Sequence, residues 1–382
     1  MLTLIENVRA FRDGEWKESQ ILIAGSAIER IADRIDCTYD GLEHVDGRGM
    51  YAVPGYIDQH VHVTGGGGEG SFITQVPPIK LSAPVMAGIT TIVGTLGTDG
   101  TTRSVANLVA KTRALNEFGM TAYCLTGNYN YPSPTLTGSV LDDIVFLHDV
   151  IGVKIAISDH RSANMSKTDL IKLASDARVA GLLAGKAGIV HLHVGAGKAK
   201  LSMLFEIVEE TDIPISVFRP THIGKCYDDA IRFTKAGGYV DFTCAPAGSS
   251  VFPKTTAQIV QALDDAPAGL VTMSTDGNGS CPFWNAQGEL VGITADTVDS
   301  LPQTVASMVR DCGCPLEKAI LPVTENVARA LGLYPRKGVL AKGSDADILL
   351  LGDDLMPDTV FACGRCMVAG HELKVQAYYE DL

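Results

Sequence analysis

Two His-x-His pairs are the first residues in this sequence whose type and spacing could do chemistry: His60 and His62 in GYIDQHVH, and His191 and His193 in IVHLH. On a β-strand, residues i and i+2 point to one face, so either pair can offer two imidazoles to one metal ion. Paired histidines also serve as hydrogen-bonded core residues, and the spacing alone leaves both uses open. His222 follows Arg219-Pro220-Thr221, and Asp276 closes the run VTMSTD. Imidazole and carboxylate together suit zinc and similar first-row metals. Lys154 is out of place by type: it sits inside the apolar run GVKIAI, where an unpaired ammonium is expensive. A carboxylate partner, or extension to the end of the strand, would relieve that cost. So would carbamylation by carbon dioxide, which turns the charge negative and lets the group bridge two cations.

The elements that must position these residues are legible as recurring apolar, β-rich runs with helix-like segments between them. They fall near Tyr56–His62, Thr90–Leu96, Thr121–Thr126, Gly152–Ile157, Ile189–Val194, Ile215–Arg219, Tyr239–Cys244 and Leu270–Thr275. Eight such βα units over about 280 residues predict an α/β chain with a (β/α)8 barrel. An open doubly wound sheet is the competing architecture, but no GxGxxG follows the first strand to open a helix. A barrel of this kind does its chemistry at the C-terminal ends of its strands. By that rule His193, nearer the end of its strand, is the candidate ligand, and His191 is a buried residue that either supports a ligand from behind or packs in the core. The first fifty residues and the last forty-five read instead as short strands joined by hairpin turns.

The strand ends 1, 4, 5, 6 and 8 thus carry His-x-His, Lys, His, His and Asp, and in this the chain resembles the binuclear amidohydrolase superfamily. PGYIDQHVH opening the barrel and KGVLAKGSDADILLL closing it are similar to that superfamily too. The closer resemblance is to the isoaspartyl (β-aspartyl) dipeptidase family. IDQHVH followed by Gly65–Glu69, then GTLGTDG, KTRALNE, LTGNY, IGVKIAISDHRS and STDGNGS, resemble it in order and spacing. The likeness spans nearly the whole chain and is weakest between about Gly248 and Pro267.

The resemblance implies a small β-sandwich domain built from both chain ends, residues 1–53 plus 337–382, and a barrel domain over 54–336. It implies two zinc ions: His60, His62 and Asp276 on one, His193 and His222 on the other, and carbamylated Lys154 bridging them. Glu69 would recognise the substrate α-amino group and Tyr129 the polarised carbonyl, with Thr98, Arg161 and Ser280 lining the site. Asp276 would also move the proton. One position departs from the pattern: Lys225 stands where the family carries an Arg, and Lys lacks the planar fork that suits a carboxylate. Arg219 is the other cation at hand to compensate. The implied activity is metal-dependent hydrolysis of isoaspartyl dipeptides to aspartate and an amino acid, by a homo-oligomer, in that family an octamer. The alternatives are a dihydroorotase, a hydantoinase or an N-acyl-amino-acid deacylase with the same metal cage. Non-catalytic members of the superfamily have lost ligands, whereas all six positions are filled here, and a mononuclear deaminase would lack the bridging Lys.

Composition excludes other classes. The 382 residues carry a net charge of −13, which argues against a nucleic-acid backbone binder. No apolar run approaches the roughly 20 residues that span a bilayer, and no basic-then-apolar leader opens the chain. Nine cysteines, an odd number, predict reduced thiols and a cytoplasmic protein. Cys363 and Cys366 form a CxxC, but within TVFACGRCMVAG it alternates like a strand and lacks the second half of a structural zinc site.

Overall fold

The computed structural model describes residues 2–378 and 380, apart from 286 and 288. At its centre eight parallel strands lie side by side in chain order: β1 Tyr56–Val61, β2 Ile89–Gly94, β3 Thr121–Gly127, β4 Val150–Ile157, β5 Ile189–Val194, β6 Phe218–Thr221, β7 Val240–Thr243 and β8 Val271–Ser274. Each is followed by a helix: α1 Ser82–Met86, α2 Val105–Phe118, α3 Val140–Phe146, α4 Lys167–Ala184, α5 Ser202–Glu210, α6 Tyr227–Lys235, α7 Phe252–Asp265 and α8 Ser300–Arg310. This is the (β/α)8 barrel that the spacing predicts. β8 meets β1 through a bridge between Val61 and Gly277 and the bond His62 N–H to Gly277 O at 2.8 Å.

The strands read as continuous apolar runs because both faces are covered; every residue of β1, β2, β4 and β5 is buried. The helices carry their own start and stop signals. Ser104 and Ser139 cap α2 and α3, and Ser166 with Asp169 forms a capping box on α4, which ends at left-handed Gly185. A short helix, α9 Glu325–Ala330, plugs the N-terminal end of the barrel with Val327, Ala328 and the following Leu331 against Ile57, Tyr123, Ile151 and Ile189.

The sixth strand begins later than its apolar run. Pro214 (φ −68°) starts a single turn of 3-10 helix over Ile215–Val217, with Val217 N–H bonded to Pro214 O at 3.0 Å. Proline presets that φ. The strand is thereby displaced to Phe218–Thr221, so that His222 follows immediately at its end.

The chain ends form one nine-stranded sheet. Leu2–Arg12, Glu15–Ala24, Ala27–Ala32, Glu43–Asp46 and Tyr51–Pro54 come from the N-terminus. Ile348–Leu351, Pro357–Ala362, Arg365–Ala369 and Glu372–Leu373 come from the C-terminus. The two sets join where Tyr51–Pro54 runs antiparallel to Ile348–Leu351, Val53 facing Leu349. Strand alternation then serves two cores. Ile348 and Leu350 pack with Ile5, Ile21 and Phe361, while Leu349 and Leu351 face the barrel core. The Cys363/Cys366 pair flanks a hairpin turn, Cys363-Gly364, whose two residues both have positive φ. All nine cysteines are free.

Candidate metal centre and substrate site

The C-terminal ends of β1, β4, β5, β6 and β8 bring six side chains into one buried cluster. His60 and His62 turn their Nε2 atoms toward Asp276 Oδ1, at 3.3 and 3.0 Å. Ligand atoms of these three residues all lie within 4.8 Å of one another. Lys154 Nζ stands 2.8 Å from His60 Nε2. The rings of His193 and His222 are 4.6 Å apart between centroids, and that of His222 is 5.1 Å from His60. Among the described residues, Asp276 Oδ1 and His222 Nε2 are buried without a well-aligned hydrogen-bond partner. Such atoms are costly to desolvate, so a carboxylate oxygen and an imidazole nitrogen left this way fit ligation of a cation.

The electrostatics agree. Burial, with Lys154 adding for His60, holds His60, His191 and His222 well below the usual imidazole range, and His193 at about 4. All four rings are neutral near pH 7, the form that donates a lone pair to metal. Burial pulls the Lys154 amine down to about 7. Burial opposes ionisation of Asp276, but His222, His62 and Lys154 outweigh it and keep the carboxyl well below the usual range.

The rings are held from behind. His191 Nε2 sits 3.1 Å from His60 Nδ1, so the inner histidine of the β5 pair fixes the inner ring of the β1 pair. His193 Nε2 lies 2.9 Å from Asp159 Oδ2, and its Nδ1 lies 2.6 Å from Tyr129 Oη. With Nε2–H donating to Asp159, Nδ1 is the unprotonated nitrogen and accepts from the tyrosine. His222 Nδ1 is 2.6 Å from Thr243 Oγ1, which leaves Nε2 to face the cluster. Asp58 accepts from the Thr275 hydroxyl at 2.5 Å and from the His60 N–H at 3.2 Å, tying β1 to the end of β8. His62 lies between two bare backbones. A Cβ on Gly97 would stand 2.8 Å from its Cε1, and one on Gly279 would stand 3.0 Å from its Cδ2.

The candidate substrate residues form a second, contiguous group. Glu69 Oε1 accepts from Thr98 Oγ1 at 3.0 Å and from the Arg161 guanidinium at 3.1 Å; Oε2 accepts from Ser280 Oγ at 2.9 Å. The loop after β1 delivers Glu69 by folding on itself. Gly65, Gly67 and Gly68 all have φ between 84° and 98°, and a Cβ on Gly65 would strike Val76 O at 1.9 Å. Only glycine fits such a fold without strain. Arg161 also forks onto Asp159, with Nε and a terminal nitrogen each at 3.0 Å, and its guanidinium lies 5.6 Å over the Tyr129 ring. Burial raises the Tyr129 phenol well above its ordinary value, so it remains a proton donor.

A cavity of about 430 Å³ opens beside the cluster, lined by His222, Lys225, Asp276, Cys281 and Asp296 among others. Lys225 is exposed at its mouth. Arg219 is elsewhere: its guanidinium donates to Ser216 O, Phe218 O and Ala330 O and stacks on Tyr239, toward the plugged N-terminal end. It therefore does not stand in for the family's Arg. Two carboxylates escaped the sequence reading. Asp159 lies two residues before Arg161 in SDHRS, and that motif is the sequence signal for it. Asp296 follows the hairpin Ser280–Trp284 and Leu290–Ala295. Burial, with the nearby Asp276 carboxylate adding, pushes it up to about 8. Nothing in its local sequence marks it.

Comparisons with known proteins follow the same lines. The model of the Amidohydrolase family matches residues 51–369. The crystal structure of a β-aspartyl dipeptidase from Fervidobacterium islandicum AW-1, in complex with β-Asp-Leu dipeptide, is 36% identical, superposes with a TM-score of 0.92 and is covered in full by both chains. Dihydropyrimidinase from Brevibacillus agri NCHU1002 is 17% identical at a TM-score of 0.68 over 99% of this chain and 97% of its own, a likeness of fold. A curated dihydroorotase from Staphylococcus aureus (strain MRSA252) is 37% identical over 68 residues, 18% of this chain. The matched stretch spans only 16% of the length of that relative.

Proposed function

Because this chain belongs to the amidohydrolase family, with a full-length likeness to a β-aspartyl dipeptidase, we propose that it hydrolyses the β-aspartyl bond of isoaspartyl dipeptides, releasing aspartate and the second amino acid. The observation that carries this reading is Glu69. Its side chain, 7% exposed, is fixed by three donors beside the metal-type cluster. A free α-ammonium is the substrate group such an anion recognises. Dihydroorotate and hydantoins have no ammonium to place there.

We infer two zinc ions as cofactors, His60, His62 and Asp276 holding one and His193 and His222 the other. The buried Lys154 amine would take up carbon dioxide through its nitrogen, release one proton and become the carbamate between them. Ions so bound would polarise the scissile carbonyl and lower the pKa of a water toward about 7. Asp276 accepts the proton of the attacking water at a carboxylate oxygen and returns it to the leaving amine. Once His193 Nδ1 is committed to an ion, the Tyr129 hydroxyl that donates to it in this structure would be released and would donate its hydrogen to the carbonyl oxygen as charge builds there. Asp159 keeps the proton of His193 on Nε2, so that Nδ1 stays a donor of electrons. Thr98, Arg161 and Ser280 hold Glu69 in place. Arg161 and Lys225 supply positive charge for the substrate carboxylates.

Self-association belongs to the same proposal; Phe146, Leu182 and Leu183, 74, 70 and 69% exposed, offer apolar surface for it. Nine free cysteines fit a cytoplasmic site of action, and among the described residues no helix is long and apolar enough to cross a membrane.

The test is a hydrolysis screen of zinc-loaded protein on β-Asp-Leu, α-Asp-Leu, N-acetyl-leucine and dihydroorotate. β-Asp-Leu should exceed each of the others by at least about a hundredfold in kcat/KM. Faster turnover of dihydroorotate or the N-acyl amino acid would refute the dipeptidase assignment and leave only the metal-dependent amidohydrolase.

A further inference from the structure

The aspartyl half of a dipeptide is accounted for by Glu69, Thr98 and Arg161, from the segments after β1, β2 and β4. The cavity of about 430 Å³ is walled instead by segments after β6, β7 and β8, and it begins at Asp276. A substrate with its amino end at Glu69 and its scissile bond at Asp276 directs its leaving residue into that space.

The charge in the cavity is segregated. Its two acids lie at the inner end, Asp296 buried and Asp276 half-buried, whereas Lys225 and Lys254 are exposed at the mouth. Neither ammonium forms a hydrogen bond or an ion pair among the described residues. Lys198 and Lys200, in the adjoining segment after β5, are likewise unpaired. An unpaired basic mouth is a local exception in a chain of net charge −13.

The placement of Lys254 works against helix stability. It is the third residue of α7, whose first turn has neither an acidic residue nor a side-chain cap. A cation there faces the positive end of the helix dipole, so this turn presents two like-signed features to the same cavity. One helical turn on, Gln258 donates from Nε2 to Gly224 O at 3.1 Å, which fastens α7 to the segment carrying Lys225. The backbones that carry the two lysines are thereby joined at the same rim of the cavity.

We propose that this cavity receives the leaving amino acid and that its lysine mouth selects an acidic side chain there, so that β-Asp-Glu is cut in preference to β-Asp-Lys. The inference rests on the dipeptidase reading. It is tested by kcat/KM of the zinc-loaded enzyme on β-Asp-Glu, β-Asp-Leu and β-Asp-Lys, for wild type, Lys254→Gln and Lys254→Glu, at low and high salt. Wild type should favour β-Asp-Glu over β-Asp-Lys by about tenfold or more at low salt, and the ratio should shrink as salt screens the charges. Lys254→Glu should lower β-Asp-Glu and raise β-Asp-Lys, each by about tenfold, with β-Asp-Leu within about threefold of wild type and Lys254→Gln between the two. Cleavage of all three peptides without a charge preference, or equal effects of Lys254→Glu on all three, overturns this inference alone. Failure of wild type to cut any of them overturns it together with the dipeptidase assignment.

Discussion

A carboxylate that already accepts hydrogen bonds from Thr98, Arg161 and Ser280 has little freedom left, and under the proposed function that rigidity would let Glu69 discriminate among substrates. Glu69→Gln keeps the shape and removes the charge. Removing one charge from a desolvated pair costs about 2–5 kcal/mol, so kcat/KM on β-Asp-Leu should fall by about thirtyfold to several thousandfold. N-acetyl-β-Asp-Leu, which has no ammonium, should be a poor substrate of wild type by a similar factor and should lose little more in the variant. Equal losses on both peptides would mean that Glu69 only supports the loop. The residues around it differ in how far their type announced them. His60, His62, Lys154, His193, His222 and Asp276 were visible because an imidazole, ammonium or carboxylate at the end of a buried apolar run is anomalous in itself. Asp159 and Asp296 were not, because a carboxylate in a loop is ordinary. What makes them matter is proximity to His193 and Asp276, which spacing does not encode. Arg219 was ambiguous for a related reason: its type fits a substrate carboxylate, but its position on β6 turns it toward Ala330 O at the closed end.

Most of the barrel was readable element by element, since each strand is a run covered on both faces and α2, α3 and α4 have their serine caps in sequence. β6 was the exception. Its apolar run continues back through a 3-10 turn, and hydrophobicity does not distinguish a buried turn from a buried strand. The connections between elements carry information of a different kind. The segments after β2 and β8 approach His62 with Gly97 and Gly279, whose lack of side chains lets the ring lie against backbone. Gly97→Ala would put a methyl 2.8 Å from His62 Cε1 and push the ring off its line to Asp276. Zinc affinity should drop by about tenfold to a hundredfold while the far-ultraviolet circular dichroism stays unchanged. Competition with a metal-binding dye reads the first quantity. Undiminished affinity would show that the ring has room to shift without losing its aim.

At the scale of the whole molecule, the cluster draws on five of the eight strands, so a bound ion fastens the barrel across its diameter. Ligands that bind only the folded state stabilise it by about 4 kcal/mol at a thousandfold excess over Kd. Chelation should therefore abolish hydrolysis and lower Tm by roughly 5–10 °C, both restored by zinc, with metal analysis of the active protein near two equivalents per chain. Full activity at one equivalent or less would defeat the binuclear assignment. The sheet built from both chain ends has a consequence for how the chain is made. Val53 finds its antiparallel partner only at Leu349, and at ordinary rates of synthesis the roughly 300 residues between them take about 15–60 s to emerge. Through that interval Tyr51–Pro54 presents an unpaired edge, and the strands before it wait while the entire barrel is being translated. A segment made long after Tyr51–Pro54 is thus the one that closes it, and a chain cut short before Ile348 leaves that strand with an edge exposed to other chains.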